Sequence, residues 1–178
     1  MNKDFDFQEA TVEELGAIVS KKLKENNIDC ILVGNACVAI YSQNLYQSTE
    51  LHFVTFEGVK KIKAALKNLH FHKEGKYFSH PHCKYTLEFF SPPVLMGDET
   101  VTHFEHHKTA LGTIKMLTPM DSVKDRLIRF CHEDDGQSLE QALAICKINA
   151  EKIDISEIKN WAHKEGFSEK FEIFLKKL

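Results

Sequence analysis

No stretch of this 178-residue chain stays apolar for the roughly 18–20 residues that a bilayer-spanning helix needs. The opening MNKDFDFQEA carries no apolar signal segment either, and the expectation is a cytoplasmic protein. Cysteine is sparse. The five thiols, at 30, 37, 83, 131 and 146, are odd in number, scattered, and never spaced C-x-x-C. That argues against a disulfide framework and a zinc knuckle, and leaves buried reduced thiols as the expected state. A basic excess is missing as well: 23 Lys and Arg stand against 26 Asp and Glu, for a net charge of −3. Without a broad positive field the chain is a poor candidate for gripping a nucleic-acid backbone, although an RNA acceptor at a local site stays open. Internal repeats and low-complexity segments are also absent.

What is present is enough apolar content for a core, 43%, with 28% charged residues. Thr11 followed by Glu14 forms a capping-box signature. Leu15, Ile18, Val19 and Leu23 then recur at helical spacing, and the helix should end near Asn26-Asn27. Val59, Ile62, Leu66 and Leu69 predict another amphipathic helix. Residues 70–90 read as strands around turns, with Tyr77-Phe78 and Tyr85, Leu87, Phe89 as strand-type residues. Residues 94–107 read as a polar loop, and Thr109–Leu117, broken at Gly112, as a hairpin or bent strand. From Thr118-Pro119 the pattern is helical to the end, with breaks at Asp135-Gly136 and Gly166 and a cap at Asp154.

The most informative stretch is Cys30–Phe56. An apolar run, Ile31-Leu32-Val33, breaks at Gly34-Asn35; a short apolar segment, Ala36–Tyr41, precedes a second strand-like run, Glu50-Leu51-His52-Phe53-Val54. Strand, glycine turn, short helix and strand make a compact arrangement for handling phosphate. Glycine lets the backbone approach a ligand, and the N–H groups of the helix start face it. Residues two apart on a strand share a face, so Glu50 and His52 point one way while Leu51 and Phe53 point into the core.

Two blocks resemble the small bacterial nucleotidyltransferases of the polymerase-beta-like superfamily, the group that includes toxin–antitoxin and phage-defence enzymes. One block is Leu32-Val33-Gly34 through Glu50–Val54. The other runs from Leu117-Thr118-Pro119 through Lys124-Asp125-Arg126 to Asp135 and Ser138–Ala142. Between them, Tyr85-Thr86-Leu87-Glu88-Phe89 resembles the strand carrying the family's third carboxylate. The chain departs from the pattern at named positions. Asn35 follows the glycine where the family has Gly or Ser, Leu45 stands where an Arg is common, and Glu50-x-His52 replaces Asp-x-Asp.

The resemblance implies an α/β (α+β) fold, with a small mixed sheet and flanking helices over 1–117 and a helical subdomain over 118–178. It implies transfer of a nucleoside monophosphate from a nucleoside triphosphate to an acceptor hydroxyl. Glu50, His52 and Glu88 would be the catalytic and metal-holding residues for Mg²⁺ or Mn²⁺. Gly34, Asn35, Lys124 and Asp135 would be the nucleotide-binding residues, with Lys124 facing the phosphates from the wall opposite the acids. A toxin or antitoxin protein is the implied partner. Because Mg²⁺ prefers hard oxygen ligands and His52 supplies nitrogen, two-metal catalysis should be weakened; the alternative is a catalytically dead nucleotide-binding or protein-interaction module. Local readings compete with these roles. Asp135 can simply cap a helix, Lys124 can be a solvated surface lysine, and Asp125 can pair with Arg129 along a helix. Two histidine clusters, His80, His82, Cys83 and His103, His106, His107, match no standard zinc spacing.

Overall fold

The computed structural model describes residues 5–178. Helix α1 (Val12–Glu25) starts on the capping box read from the sequence: the Thr11 hydroxyl accepts from the Glu14 N–H, and the Glu14 carboxylate accepts from the Thr11 N–H. Strand β1 (Ile31–Val33) leads through Gly34 into α2 (Asn35–Tyr41) and then β2 (Glu50–Val54). Helix α3 (Val59–Leu66) tightens into a 3₁₀ turn over Lys67–Leu69. A hairpin follows, β3 (His72–Glu74) and β4 (Tyr77–Ser79), turning at Gly75-Lys76, and then β5 (Thr86–Phe90).

The stretch expected as a polar loop over 94–107 is more structured than its polarity suggests. It holds a small separate hairpin, β6 (Leu95–Met96) with β7 (Glu99–Thr100), and the start of β8 (Glu105–Lys108). Among the described residues, strand β8 is an edge that pairs only with β9 (Thr113–Met116), and residues Glu105–Lys108 alternate between half-buried and exposed. An edge with no buried face needs no apolar alternation, so hydrophobic periodicity misses it.

The second half is helical, as expected: α4 (Pro119–Glu133), α5 (Gly136–Ile148), α6 (Ile155–Lys164) and α7 (Ser168–Lys177). The break between α4 and α5 falls one residue earlier than the sequence suggested. Asp134 adopts the left-handed conformation that ends α4, and Asp135 caps α5.

Among the described residues, the main sheet has seven strands in the order β3-β4-β5-β2-β1-β9-β8. It is mixed: β2 runs parallel to β5 and β1 to β9, and the other neighbours are antiparallel. Leu32, Leu51 and Ile114 share the face covered by α1, where Gly16 brings the helix close; a Cβ there would lie 3.3 Å from Ile114 Cδ1. The α+β expectation holds. The two halves share one continuous core, from Val12 on α1 to Phe174 on α7. Polar bonds cross the same boundary: the Asn149 amide donates to the Tyr41 carbonyl at 2.9 Å, and the Arg126 guanidinium to the Asn35 side-chain oxygen at 2.6 Å.

Candidate metal and nucleotide site

Strand register builds the site. Because β2 and β5 are parallel and in register, His52 lies directly across from Glu88, and Glu50 two residues back shares their face. Leu51 and Phe53 point to the other side, where both are fully buried. The sequence therefore sorts chemistry and core by simple alternation, and the structure brings the three expected metal-site residues together. Among the described residues, Glu50, His52 and Glu88 form the one group of three metal-capable side chains, with ligand atoms within 4.8 Å of one another. His52 Nε2 lies 3.0 Å from Glu50 Oε2 and 3.7 Å from Glu88 Oε2. Glu88 is only 6% exposed, whereas Glu50 and His52 are half-buried.

Gly34 sits beside this cluster. Its φ of +69° and ψ of −144° suit a residue without Cβ, and a Cβ built there would stand 3.5 Å from His52 Nδ1. The glycine turn and the strand bearing the acids are thus neighbours, as expected from the order strand, turn, helix, strand. Phe90, two residues beyond Glu88 and substantially exposed, places its ring 5.2 Å from the His52 ring.

The donor set discriminates between Mg²⁺ and Mn²⁺, the two ions that the sequence resemblance implies. Two carboxylates and one imidazole suit a single ion tolerant of nitrogen, such as Mn²⁺, better than Mg²⁺, which favours an all-oxygen octahedron. Among the described residues no further carboxylate joins the group, so the donors fit one ion and not a pair.

The other expected nucleotide-binding residues have local partners. Asn35 is the first residue of α2, and its side-chain oxygen accepts from Arg126 at 2.6 Å. Arg126, buried on α4, also reaches Asp125 at 2.5 Å and Gln141 at 3.4 Å, tying α2, α4 and α5 together. Asp125 pairs with this neighbour and not with Arg129, which reaches Glu133 instead. Asp135 caps α5, accepting from the Gln137 N–H and the Ser138 hydroxyl; the Ser138 bond is the main cause holding its pKa below the ordinary value. Lys124 is 5% exposed and far from a solvated surface lysine. Its ammonium lies 3.9 Å from Glu99 and 3.8 Å from Glu157, over the Trp161 ring. These contacts place it toward the β6–β7 hairpin and α6, and none of its ion pairs is with Glu50 or Glu88.

One residue at the site escaped the sequence reading. Lys76, at the tip of the β3–β4 turn, places its ammonium 3.1 Å from Glu88 Oε1 and 4.7 Å from the centre of the Tyr77 ring. Tyr77, and after it Glu88, hold its pKa above the ordinary lysine value. A lysine after a glycine in a polar hairpin carries no sequence signal. Only the β4–β5 pairing, which sets Tyr77 opposite Glu88, brings it to the acids.

The two histidine clusters do not assemble metal sites among the described residues. His80 packs on Phe7 with ring centres 4.2 Å apart, and burial, followed by the charges of His82, His70 and His72, lowers its pKa. A cavity of about 700 Å³ lies there, bounded by Phe7, Ile18, Lys21, His70, His80 and His82, and no residue of the acidic site lines it. The thiols are free, as expected; burial pushes those of Cys30 and Cys146 up to about 12.

No protein-family model matches the sequence, and no curated protein matches it. Solved structures do. The crystal structure of an antigenic nucleotidyltransferase-like protein from Paracoccidioides brasiliensis superimposes with a TM-score of 0.59 over 80% of this chain and 78% of its own, at 14% identity. The fold is nucleotidyltransferase-like. The solution structure of the antibiotic-resistance factor ANT(2'')-Ia is also similar, with a TM-score of 0.48 and 11% identity over 87% of this chain and 95% of that one. Within the nucleotidyltransferase-like fold, the in-register pair β2–β5 and the Gly34 turn present Glu50, His52 and Glu88 as one group on one sheet face.

Proposed function

We propose that the protein binds a nucleoside triphosphate together with one divalent ion, and transfers the nucleoside monophosphate to an acceptor hydroxyl at a rate reduced by the loss of a second ion. The observation that carries this reading is the convergence of Glu50, His52 and Glu88 within 4.8 Å beside a positive-φ glycine turn, on a nucleotidyltransferase-like sheet. In the overall reaction the acceptor oxygen forms a bond to the α-phosphorus, the bond to the β-phosphate oxygen breaks, pyrophosphate leaves and the hydroxyl proton passes to water. A bound Mn²⁺, or less readily Mg²⁺, would supply charge neutralisation at the phosphates. The chain's own part is to orient. Glu50 and Glu88 would provide the hard oxygen donors, and His52, whose Nε2 lies 3.0 Å from Glu50 and 3.7 Å from Glu88, would provide the nitrogen. The Gly34 turn leaves room for a phosphate beside His52.

A second reading is nucleotide binding without turnover, in a module whose partner is a toxin or antitoxin protein. It is favoured by the existing contacts of both acids: Glu50 is hydrogen-bonded to His52, and Glu88 to Lys76. Calorimetry with ATP, GTP, CTP and UTP in Mn²⁺ and in Mg²⁺, followed by an assay for pyrophosphate release, separates the two. Pyrophosphate release abolished by Glu88→Ala supports transfer. Binding with no release supports the module, and no binding of any of the four contradicts both.

A further inference from the structure

The acidic site has donors for one ion, yet a triphosphate brings about four negative charges, and phosphoryl transfer needs charge stabilised on both the attacking and the leaving side. Where a second ion is missing, the compensating charge must come from a side chain. Among the described residues, Lys76 is the lysine or arginine within 4.0 Å of the cluster's acids.

Its position suits that task in three ways. First, it does not compete with an ion for the same atom: Lys76 is held by Glu88 Oε1, while Glu88 Oε2 faces His52. The two oxygens of one buried carboxylate serve two different partners. Second, the ammonium is free to leave Glu88 for a ligand. Its side chain is 63% exposed and sits at the tip of a two-residue turn, where Gly75 has a φ of +59°. Third, the turn itself is held. Lys73 donates to the Gly75 carbonyl, and the Tyr77 ring underlies the ammonium. A long cationic side chain on a fixed base, one carboxylate away from the metal donors, reaches the space in front of the cluster.

We propose that Lys76 binds the polyphosphate of the nucleotide and takes the charge-neutralising place of a second metal ion. The inference rests on the reading of the site as one that binds a nucleoside triphosphate and one ion. The proposed contact is with the β- and γ-phosphates, which a nucleoside monophosphate lacks, so a monophosphate does not gain from it.

The test is calorimetry of the full chain in Mn²⁺. The four nucleoside triphosphates are screened on the unaltered protein. The tightest of them and its monophosphate are then measured on Lys76→Met and Lys76→Arg. A charge-assisted phosphate contact predicts a loss of about 10- to 100-fold in triphosphate affinity for Lys76→Met, with most of it recovered in Lys76→Arg. Monophosphate affinity and Mn²⁺ affinity should not fall in either variant. Because Lys76 is exposed, both variants should melt with the unaltered protein. Triphosphate affinity unchanged in Lys76→Met, with the unaltered protein binding normally, overturns the role of Lys76 and leaves the site's reading standing. No triphosphate binding by the unaltered protein overturns the reading itself and the inference with it.

Discussion

Asn35 and Arg126 show how a residue in a motif position can work for the scaffold. Asn35 stands beside the phosphate-type turn, but its side chain holds the buried guanidinium that links α2, α4 and α5. Removing the acceptor leaves a buried charged donor short of a partner, so Asn35→Ala should cost about 1.5–3 kcal/mol in urea unfolding. An unchanged midpoint would mean that Arg126 finds another acceptor. At Gly34 the backbone conformation is one that L residues rarely adopt, and the missing Cβ faces His52. Gly34→Ala should therefore destabilise by about 1–3 kcal/mol and also weaken metal binding, a pairing of effects that a plain turn glycine would not produce. At His52 the expectation is the opposite. His52→Asp supplies a third hard oxygen donor and should raise Mg²⁺ affinity by about tenfold, equivalent to about 1.4 kcal/mol; no change in calorimetry would mean that this wall does not hold the ion.

At the scale of elements, helix ends govern much of the second half. Asp135 caps α5 through the Gln137 N–H and the Ser138 hydroxyl. Losing that cap in Asp135→Ala should cost about 0.5–2 kcal/mol at neutral pH. The sign of its pH dependence follows from a folded-state pKa depressed below the ordinary 3.8. The stabilisation is complete above about pH 4, falls as pH drops through the lowered folded value, and so the variant and the parent should converge in stability under strong acid. A difference that persists there would assign the cap's worth to something other than the ionised carboxylate. Elements like α1, with its capping box, and β2, with strict alternation of Glu50-Leu51-His52-Phe53, were legible in the sequence because burial imposes a period. Strand β8 was not, since Glu105–Lys108 lies on a half-exposed edge where burial imposes none. The site followed the same division. The strand patterns made the faces of β2 and β5 legible, and the family resemblance singled out Glu50, His52 and Glu88, which the structure brings together. Lys76 was missed because a hairpin tip has no pattern, and the burial of Lys124 between Glu99, Glu157 and Trp161 depends on a hairpin, β6–β7, that polar composition concealed.

For the molecule as a whole, the α/β half and the helical half share a core, with Tyr41, Asn149, Asn35 and Arg126 bonding across the junction. The one tryptophan, Trp161, lies in the helical half, its indole donating to the Met96 carbonyl. Its fluorescence and the far-ultraviolet circular dichroism of the entire chain should therefore report a single coincident unfolding transition. Two separated transitions would make residues 118–178 an independent unit. The reading of function depends on the ion content of the folded molecule. The most direct measurement is a Mn²⁺ titration followed by electron paramagnetic resonance, on the unaltered protein and on Glu88→Gln. One Mn²⁺ per chain, lost in Glu88→Gln while the melting temperature holds, is the predicted result. No bound Mn²⁺, or Mn²⁺ bound equally well by Glu88→Gln, would contradict a metal site built from Glu50, His52 and Glu88.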